Sequence, residues 1–127
     1  MNIPFVDLKA QYLSIKEEID NITNQVISET AFIGGNYVKE FEKDFSEKYS
    51  VEHVISCANG TDAIYIALKS LGVGNGDEVI TVANTWISTS ETITLTGARP
   101  VFVDIDPETY NIDAKKIEEK ITNKTKA

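Results

Sequence analysis

The sequence predicts an α/β protein, built as a three-layer sandwich in which helices cover both faces of a mostly parallel sheet. After residue 50, short β-branched segments alternate with stretches whose apolar residues follow helical spacing, and glycine-containing turns separate them. Such repeats join parallel strands through right-handed helical crossovers. Residues 1–50 carry two amphipathic helical patterns instead. We therefore expect one unit over residues 1–127, helical in 1–50 and a strand–helix repeat in 51–127.

The composition restricts the partners and the compartment. The chain has 127 residues, 42% of them hydrophobic, and a net charge of −8 with a single arginine, Arg99. Nucleic-acid surfaces need clustered Lys and Arg, so we expect no nucleic-acid partner. The sequence has no apolar run long enough to span a membrane, and Met1 is not followed by a secretory leader pattern. The single cysteine, Cys57, suits a reducing compartment, so we expect a cytoplasmic protein with Cys57 buried in a strand.

Two helices are expected before residue 50. In residues 7–28 the apolar side chains follow a three-four spacing, and in residues 38–49 they mark one face while charges mark the other. The apolar stripe of the first helix is narrow, and it fits packing on its own domain as well as packing against a second subunit. Gly34 and Gly35 separate the two helices, and Asn36 is placed to cap the second.

The strand–helix repeat begins after residue 50. The predicted elements are, in order, a strand at 53–57, a helix at about 61–71, a strand at 78–82, a helix from Asn84 or Thr85 to Gly97, a strand at 100–104, and a last helix capped by Asp113. Three parallel strands leave open sheet edges, and the sequence ends soon after a helix. We therefore expect a fragment of a larger domain, with a small complete domain as the alternative.

One turn of this repeat is placed to bind an anion. Asn59-Gly60-Thr61 joins the predicted strand at 53–57 to the next helix. The N–H groups of Gly60, Thr61 and Asp62 are expected to be the first of that helix and so to have no partner within it, and the helix dipole adds positive potential there. Gly60 allows close approach to the main chain, and the Thr61 hydroxyl can donate to an anion or cap the helix. The pattern predicts a phosphate site, although an ordinary turn with a threonine cap uses the same residues.

An aromatic side chain follows the next strand. Trp86 comes after residues 78–82, at the edge of a parallel sheet where ligands bind. Its indole could stack on a planar ring whose phosphate reaches Gly60 and Thr61, or it could anchor the following helix as a core aromatic. The residues leave both interpretations open.

Three other polar residues are candidates for a chemical role. Asp104 and Asp106 follow the strand at 100–104 at the same edge, but Asp106 before Pro107 is first of all a turn initiator. His53 has neither a carboxylate nor a cysteine at ligand spacing. We therefore expect no metal site.

Seven segments have an order and spacing typical of one family. They are Phe5-Val6-Asp7-Leu8, Phe32-Ile33-Gly34-Gly35, Asn59-Gly60-Thr61-Asp62-Ala63, Gly76-Asp77-Glu78-Val79-Ile80, Thr85-Trp86, the run from Gly97 to Asp106, and Asn111-Ile112-Asp113. Together they resemble the opening third of the DegT/DnrJ/StrS sugar aminotransferases. The resemblance implies part of the large domain of a fold type I pyridoxal-phosphate enzyme. It also implies a homodimer that transfers an amino group, usually from glutamate, to a keto group of a nucleotide-linked deoxysugar in polysaccharide or secondary-metabolite synthesis.

The resemblance assigns roles to particular residues. The cofactor would be pyridoxal 5′-phosphate, which needs a phosphate anchor, a fixed ring plane and an acidic partner for its pyridine nitrogen. Asn59, Gly60 and Thr61 would hold the phosphate, and Trp86 would cover one face of the ring.

The resemblance leaves the catalytic residues outside this sequence. Ile33 and Gly34 would lie near the sugar, whereas the Schiff-base lysine and the aspartate partner of the pyridine nitrogen would come after Ala127. We therefore expect no catalytic residue within this chain and no turnover by it alone. A related sugar dehydratase, in which histidine replaces the lysine, and a non-catalytic phosphate-binding module remain as alternatives.

Overall fold

The chain divides into two compact units, Met1–Ser56 and Cys57–Ala127, and a computed structural model describes residues 5–127. The first is called the helical unit here and the second the sheet unit. Residues 1–4, where the sequence predicts no leader, lie outside the described residues.

The helical unit contains α1 (Leu8–Ser14), α2 (Lys16–Ser28) and α3 (Asn36–Tyr49). The single helix expected over residues 7–28 is therefore wrong in one detail, since it is interrupted at Ile15, whose φ of −122° and ψ of 14° leave the helical region. Asp7 caps α1, because its Oδ1 accepts a hydrogen bond of 2.9 Å from the Ala10 N–H. Asn36 is not the cap of α3 but its first residue. The cap is Gly35, whose φ of 90° and ψ of −159° suit glycine.

One face of α3 carries the aromatic stripe that the sequence predicts. The ring centroids of Phe41 and Phe45 lie 5.8 Å apart, and those of Phe45 and Tyr49 lie 4.4 Å apart. All three side chains are exposed, from 40% for Phe45 to 57% for Tyr49. The stripe is thus formed by contacts within one helix and is not buried in this unit.

The strand expected at residues 53–57 is not formed. The segment is irregular, and among residues 5–127 it has no strand partner. It is held locally instead, because the Ser56 N–H donates a 2.9 Å hydrogen bond to Glu42 Oε1. A β-strand exists only when a neighbour completes its hydrogen bonds, so strand-like composition alone does not produce one.

The sheet unit contains α4 (Gly60–Ser70), β1 (Glu78–Val82), α5 (Ser88–Leu95), β2 (Arg99–Val103), α6 (Ala114–Ile117) and a 3₁₀ turn (Glu118–Lys120). β1 and β2 are parallel, with Glu78 opposite Arg99 and Val82 opposite Val103. The predicted parallel strands at 78–82 and 100–104 are therefore confirmed to within one residue. Asp113 caps α6 as predicted, accepting a 3.0 Å hydrogen bond from the Lys115 N–H.

The last residues pair with β1, which the sequence analysis did not predict. The Glu78 N–H donates to the Lys124 carbonyl and the Lys126 N–H donates to the Glu78 carbonyl, both at 2.8 Å. The Arg99 N–H meanwhile donates to the carbonyl of Asp77, the preceding residue. Because successive residues of a strand direct their hydrogen bonds to opposite sides, β1 has a partner on each side.

A buried acid joins these three segments. Glu78 is 5% exposed, and its Oε1 accepts a 2.6 Å hydrogen bond from Arg99 Nη2 while Oε2 accepts a 2.8 Å bond from the Thr122 hydroxyl. The Arg99 guanidinium, followed by the Thr122 hydroxyl, holds the pKa of the Glu78 carboxyl below its ordinary value.

The core of the sheet unit lies between β1 and its neighbouring helices. The buried apolar cluster consists of Leu68, Val73, Val79, Ile93 and Ala98. α4 contributes Leu68 and α5 contributes Ile93, both from the C-terminal half of the helix, and these contacts pack the two helices against the sheet. No helix in the described part of the chain is both long and apolar enough to cross a bilayer.

Candidate functional site

The first turn of α4 has two backbone donors without an acceptor in the described part of the chain. Asn59, in an extended conformation, is the cap, and its Oδ1 accepts a 2.9 Å hydrogen bond from the Asp62 N–H. The N–H groups of Gly60 and Thr61 donate to no acceptor among residues 5–127. They stand at the positive end of an eleven-residue helix, which is the arrangement that binds anions.

The side chains of Asn59 and Asp62 both take part in capping α4. Besides accepting from the Asp62 N–H, Asn59 donates through Nδ2 to Asp62 Oδ2 at 3.0 Å. The cap is therefore Asn59 and not Thr61, so the threonine hydroxyl is available for another role. The carboxylate of Asp62 and the amide of Asn59 are bonded to each other in the cap, and the expected contact of Asn59 with a phosphate stays a prediction.

Gly60 is not required to be glycine by this fold. A Cβ built at Gly60 meets no atom within 4 Å, and its φ lies outside the left-handed region that favours glycine. Gly97 is the opposite case, since its φ is +92° and a Cβ there would lie 2.3 Å from Asn75 Oδ1. The open space at Gly60 lies beside the two unpaired N–H groups, where an anion would approach the main chain.

A hydroxyl pair connects this turn to the start of α5. Thr61 Oγ1 lies 2.8 Å from Ser88 Oγ, and either atom can be the donor. Ser88 is 7% exposed and lies two residues after Trp86. Ser88 cannot be predicted from the sequence, because nothing near it in the chain marks a contact with a residue 27 positions away. The pair places the first turns of α4 and α5 side by side.

The indole of Trp86 is not a core aromatic. Trp86 lies between β1 and α5 and is 77% exposed, while its carbonyl accepts a 3.1 Å hydrogen bond from the Thr89 N–H at the start of α5. The alternative of a buried anchor for α5 is therefore wrong. A large flat side chain is exposed in the loop that leads directly to Ser88.

Asp106 has the structural role that the sequence predicts. Its Oδ1 accepts 2.9 Å hydrogen bonds from the N–H groups of Glu108 and Thr109, which makes it the acceptor of a turn. These bonds, the one from Thr109 first, lower the pKa of the Asp106 carboxyl. Asp104 is exposed and accepts from the Ile105 N–H.

Two of the residues discussed above, Cys57 and His53, precede the turn in the sequence. Cys57 is exposed, not buried, because the strand expected to contain it is not formed. His53 is exposed and its Nε2 lies 3.7 Å from Glu52 Oε1.

The residues expected near a sugar lie in the helical unit, where Ile33 is 97% exposed and Gly34 has a φ of +62°. Their role stays a prediction.

The donors at the start of α4 fit a phosphate group. Two N–H groups have no acceptor among residues 5–127, a Cβ at Gly60 would meet no atom within 4 Å, and the carboxylate of Asp62 is bonded to Asn59. The exposed indole of Trp86 lies in the loop that leads to Ser88, the hydroxyl partner of Thr61.

Known proteins share both the sequence and the fold. Residues 13–127 match the model of the DegT/DnrJ/EryC1/StrS aminotransferase family. A pleiotropic regulatory protein of Geobacillus stearothermophilus is 50% identical over 100% of this chain and 34% of its own length. The UDP-2-acetamido-2-deoxy-3-oxo-D-glucuronate aminotransferase of Pseudomonas aeruginosa is 48% identical over 98% of this chain and 35% of its own. This chain thus spans about one third of the length of these relatives.

Solved structures superpose on nearly the whole chain. NtdA of Bacillus subtilis, solved with bound cofactor PMP, is 38% identical with a TM-score of 0.92 over 98% of this chain and 29% of its own. DesV of S. venezuelae is 33% identical with a TM-score of 0.92 over 97% of this chain and 33% of its own. These matches confirm the predicted fold class, a partial α/β domain of the fold type I aminotransferases. The chain belongs to the DegT/DnrJ/EryC1/StrS aminotransferase family.

Proposed function

We propose that this chain is the phosphate-binding part of a pyridoxal-phosphate-dependent aminotransferase that acts on nucleotide-linked keto-deoxysugars, with glutamate as the amino donor. Family membership supports this, as do the names of relatives such as the dTDP-3-amino-3,6-dideoxy-alpha-D-galactopyranose transaminase of Aneurinibacillus thermoaerophilus, 42% identical over 98% of this chain. The observation that carries the proposal is the pair of unpaired N–H groups at Gly60 and Thr61 beside an open space.

Each residue of the site has a defined task in this proposal. The N–H groups of Gly60 and Thr61 bind the phosphate, and the Thr61 hydroxyl donates to it. Asn59 holds the turn by capping α4, and the indole of Trp86 covers one face of the cofactor ring. Pyridoxal phosphate, when bound, supplies an electron-withdrawing ring that makes bonds to the attached carbon easier to break. The protein's part here is to bind the phosphate and fix the ring plane.

Further parts of the proposal concern residues and partners beyond this site. The catalytic lysine and the acid that pairs with the pyridine nitrogen come from outside these 127 residues, so this chain alone does not turn over. Ile33 and Gly34 lie near the sugar, and a second copy of the protein completes the active site. The whole enzyme works in the cytoplasm in polysaccharide synthesis. A Bacillus subtilis relative named spore coat polysaccharide biosynthesis protein SpsC, 44% identical over 88% of this chain, supports the role in polysaccharide synthesis.

A Gly60→Ala variant of the full-length protein tests the site. Because a Cβ at Gly60 meets nothing within 4 Å, the variant should keep its stability or gain up to about 0.5–1 kcal/mol. Its affinity for pyridoxal phosphate should fall by about tenfold, because the methyl group occupies the space that the anion uses. Equilibrium titration followed by cofactor absorbance, together with urea denaturation, measures both quantities.

Gly74→Ala is the matched control for that experiment. Gly74 also lies in the sheet unit without a left-handed φ, and a Cβ there would make an ordinary 3.8 Å contact with the Thr96 carbonyl. The control should bind the cofactor as the wild type does. Unchanged cofactor affinity in Gly60→Ala would contradict the phosphate site.

A regulatory role without catalysis is the second candidate. The relative from Geobacillus stearothermophilus that is 50% identical over the whole chain is named a pleiotropic regulatory protein. Incubation of the full-length protein with glutamate, pyridoxal phosphate and a dTDP- or UDP-linked keto sugar separates the two. Formation of 2-oxoglutarate together with an amino sugar supports the aminotransferase, whereas cofactor binding without either product supports the regulatory role.

A further inference from the structure

Ser88 is a buried hydroxyl at the point where the two proposed cofactor-binding elements meet. It is 7% exposed, and its Oγ lies 2.8 Å from Thr61 Oγ1. Its carbonyl accepts a 2.8 Å hydrogen bond from the hydroxyl of Thr92, a side chain with 0% exposure. The backbone of Ser88 is thus bonded to a fully buried residue, while its side-chain hydroxyl lies within hydrogen-bond distance of the Thr61 hydroxyl.

The proton count of the hydroxyl pair gives the bond a direction once an anion binds. Each hydroxyl has one proton to donate and lone pairs to accept with. If Thr61 donates its proton to a phosphate oxygen, it can only accept from Ser88, so the order becomes Ser88 to Thr61 to phosphate. Hydrogen bonds in such a chain strengthen one another. The bond to Ser88 also selects one of the two χ1 rotamers that a helical threonine populates.

We propose that Ser88 is a positioning residue that acts through Thr61: it holds the Thr61 hydroxyl with its proton toward the cofactor phosphate. The same bond ties the loop that carries Trp86 to the phosphate-binding turn, since Ser88 is only two residues away from the indole. Ser88 itself does not touch the phosphate. This inference rests on the proposed function of the turn at Gly60 and Thr61.

Ser88→Ala in the full-length protein tests the role, with Ser90→Ala as the matched control. Ser90 lies in the same first turn of α5, but its hydroxyl donates only to the Ile87 carbonyl, at 3.2 Å. The apo forms are titrated with pyridoxal phosphate and with pyridoxal, which lacks the phosphate. Ser88→Ala should raise the Kd for pyridoxal phosphate by about five- to tenfold, since one oriented bond to a charged group is weakened. Its Kd for pyridoxal should stay within about twofold of the wild-type value, and Ser90→Ala should change neither.

A double variant isolates the route through Thr61. Thr61→Val removes the hydroxyl at nearly constant size, so it should weaken phosphate-dependent binding by itself. Adding Ser88→Ala to Thr61→Val should then cause no further loss, because the residue to be positioned is already absent. If Ser88→Ala does not fold, Ser88→Cys replaces it with the same expectation.

Three results would overturn the proposal. An additive loss in the double variant would mean that Ser88 does not act through Thr61, and an equal loss of pyridoxal affinity would mean a general structural role. An unchanged Kd for pyridoxal phosphate in Ser88→Ala would remove the role altogether. Failure of the proposed function is distinguishable, since the wild-type protein would then bind no pyridoxal phosphate in the first titration.

Discussion

The helical unit and the sheet unit differ in how much apolar surface they bury, although the sequence predicts helices in both from the same kind of spacing. In the sheet unit Val73 is 1% and Ile93 is 2% exposed. In the described part of the helical unit no residue is buried, and Ile22, on the apolar stripe of α2, is 42% exposed. A helix needs only hydrogen bonds between residues close in sequence, whereas a core needs several elements that meet. Helical periodicity therefore predicts an element but not its burial.

The largest expected difference in stability comes from replacing one isoleucine by alanine in each unit. Ile93→Ala removes a side chain that is fully enclosed by the core cluster, and it should lower the free energy of unfolding by about 2–5 kcal/mol. Ile22→Ala removes a half-exposed side chain and should cost about 1 kcal/mol or less. Urea denaturation of this chain measures both. Equal losses of unfolding free energy would contradict the difference in burial between the two units, because they would mean that the apolar stripe of α2 is covered in solution.

The elements that sequence analysis missed are those that depend on distant partners. Residues 53–57 have the composition of a strand, yet no described residue pairs with them. Residues 124–127 lack a strand pattern, yet their backbone pairs with Glu78. Helices, caps and turns such as the one at Asp106 depend on local bonds, and these were predicted to within a few residues.

The same distinction between local and distant contacts applies to the candidate site. The free N–H groups at Gly60 and Thr61 follow from the start of a helix, so the local sequence is enough to predict them, whereas the third expected donor, the Asp62 N–H, is bonded to Asn59 Oδ1. The hydroxyl contact between Thr61 and Ser88 joins residues 27 positions apart and required the fold. The assignment of Asn59 as the cap in place of Thr61 also required coordinates, because both residue types cap helices.

A second, smaller effect comes from alanine at one glycine of each unit. Gly97 and Gly34 both have positive φ, which disfavours any side chain by about 1–2 kcal/mol. At Gly97 the added Cβ would also lie 2.3 Å from Asn75 Oδ1 and 3.3 Å from its backbone nitrogen, whereas at Gly34 it meets nothing within 4 Å. Gly97→Ala should therefore destabilise the chain by about 1 kcal/mol more than Gly34→Ala. Thermal and urea unfolding measure the difference, and equal losses would show that the side chain of Asn75 moves without cost.

The smallest effect is a pH dependence that distinguishes a buried acid from an exposed one. In the folded chain Arg99 and then Thr122 lower the pKa of Glu78 below its ordinary 4.5, and Lys16 and then Tyr12 lower that of Asp20 below 3.8. A carboxyl with a lowered folded pKa stabilises the fold above its unfolded pKa, and this stabilisation is lost as the pH falls through the folded value. The difference in unfolding free energy between wild type and Glu78→Gln should thus be constant above about pH 5 and shrink below pH 4.5. It should be modest, because the Arg99 side chain stays 71% exposed to water.

Added salt should separate the stabilising contribution of Asp20 in the helical unit from that of Glu78 in the sheet unit. The ion pair of Asp20 with Lys16 is exposed on both sides, so about 1 M NaCl should remove most of the difference between wild type and Asp20→Asn. Asp20 and Glu78 each accept from a hydroxyl as well, but the carboxylate of Glu78 is buried, so its pH-dependent contribution should persist in the same salt. Urea denaturation across the acid range at low and high salt measures both variants. A Glu78 contribution that disappears in salt along with that of Asp20 would mean that water reaches this carboxylate, and the sheet unit would then protect its charged side chains no better than the helical unit does.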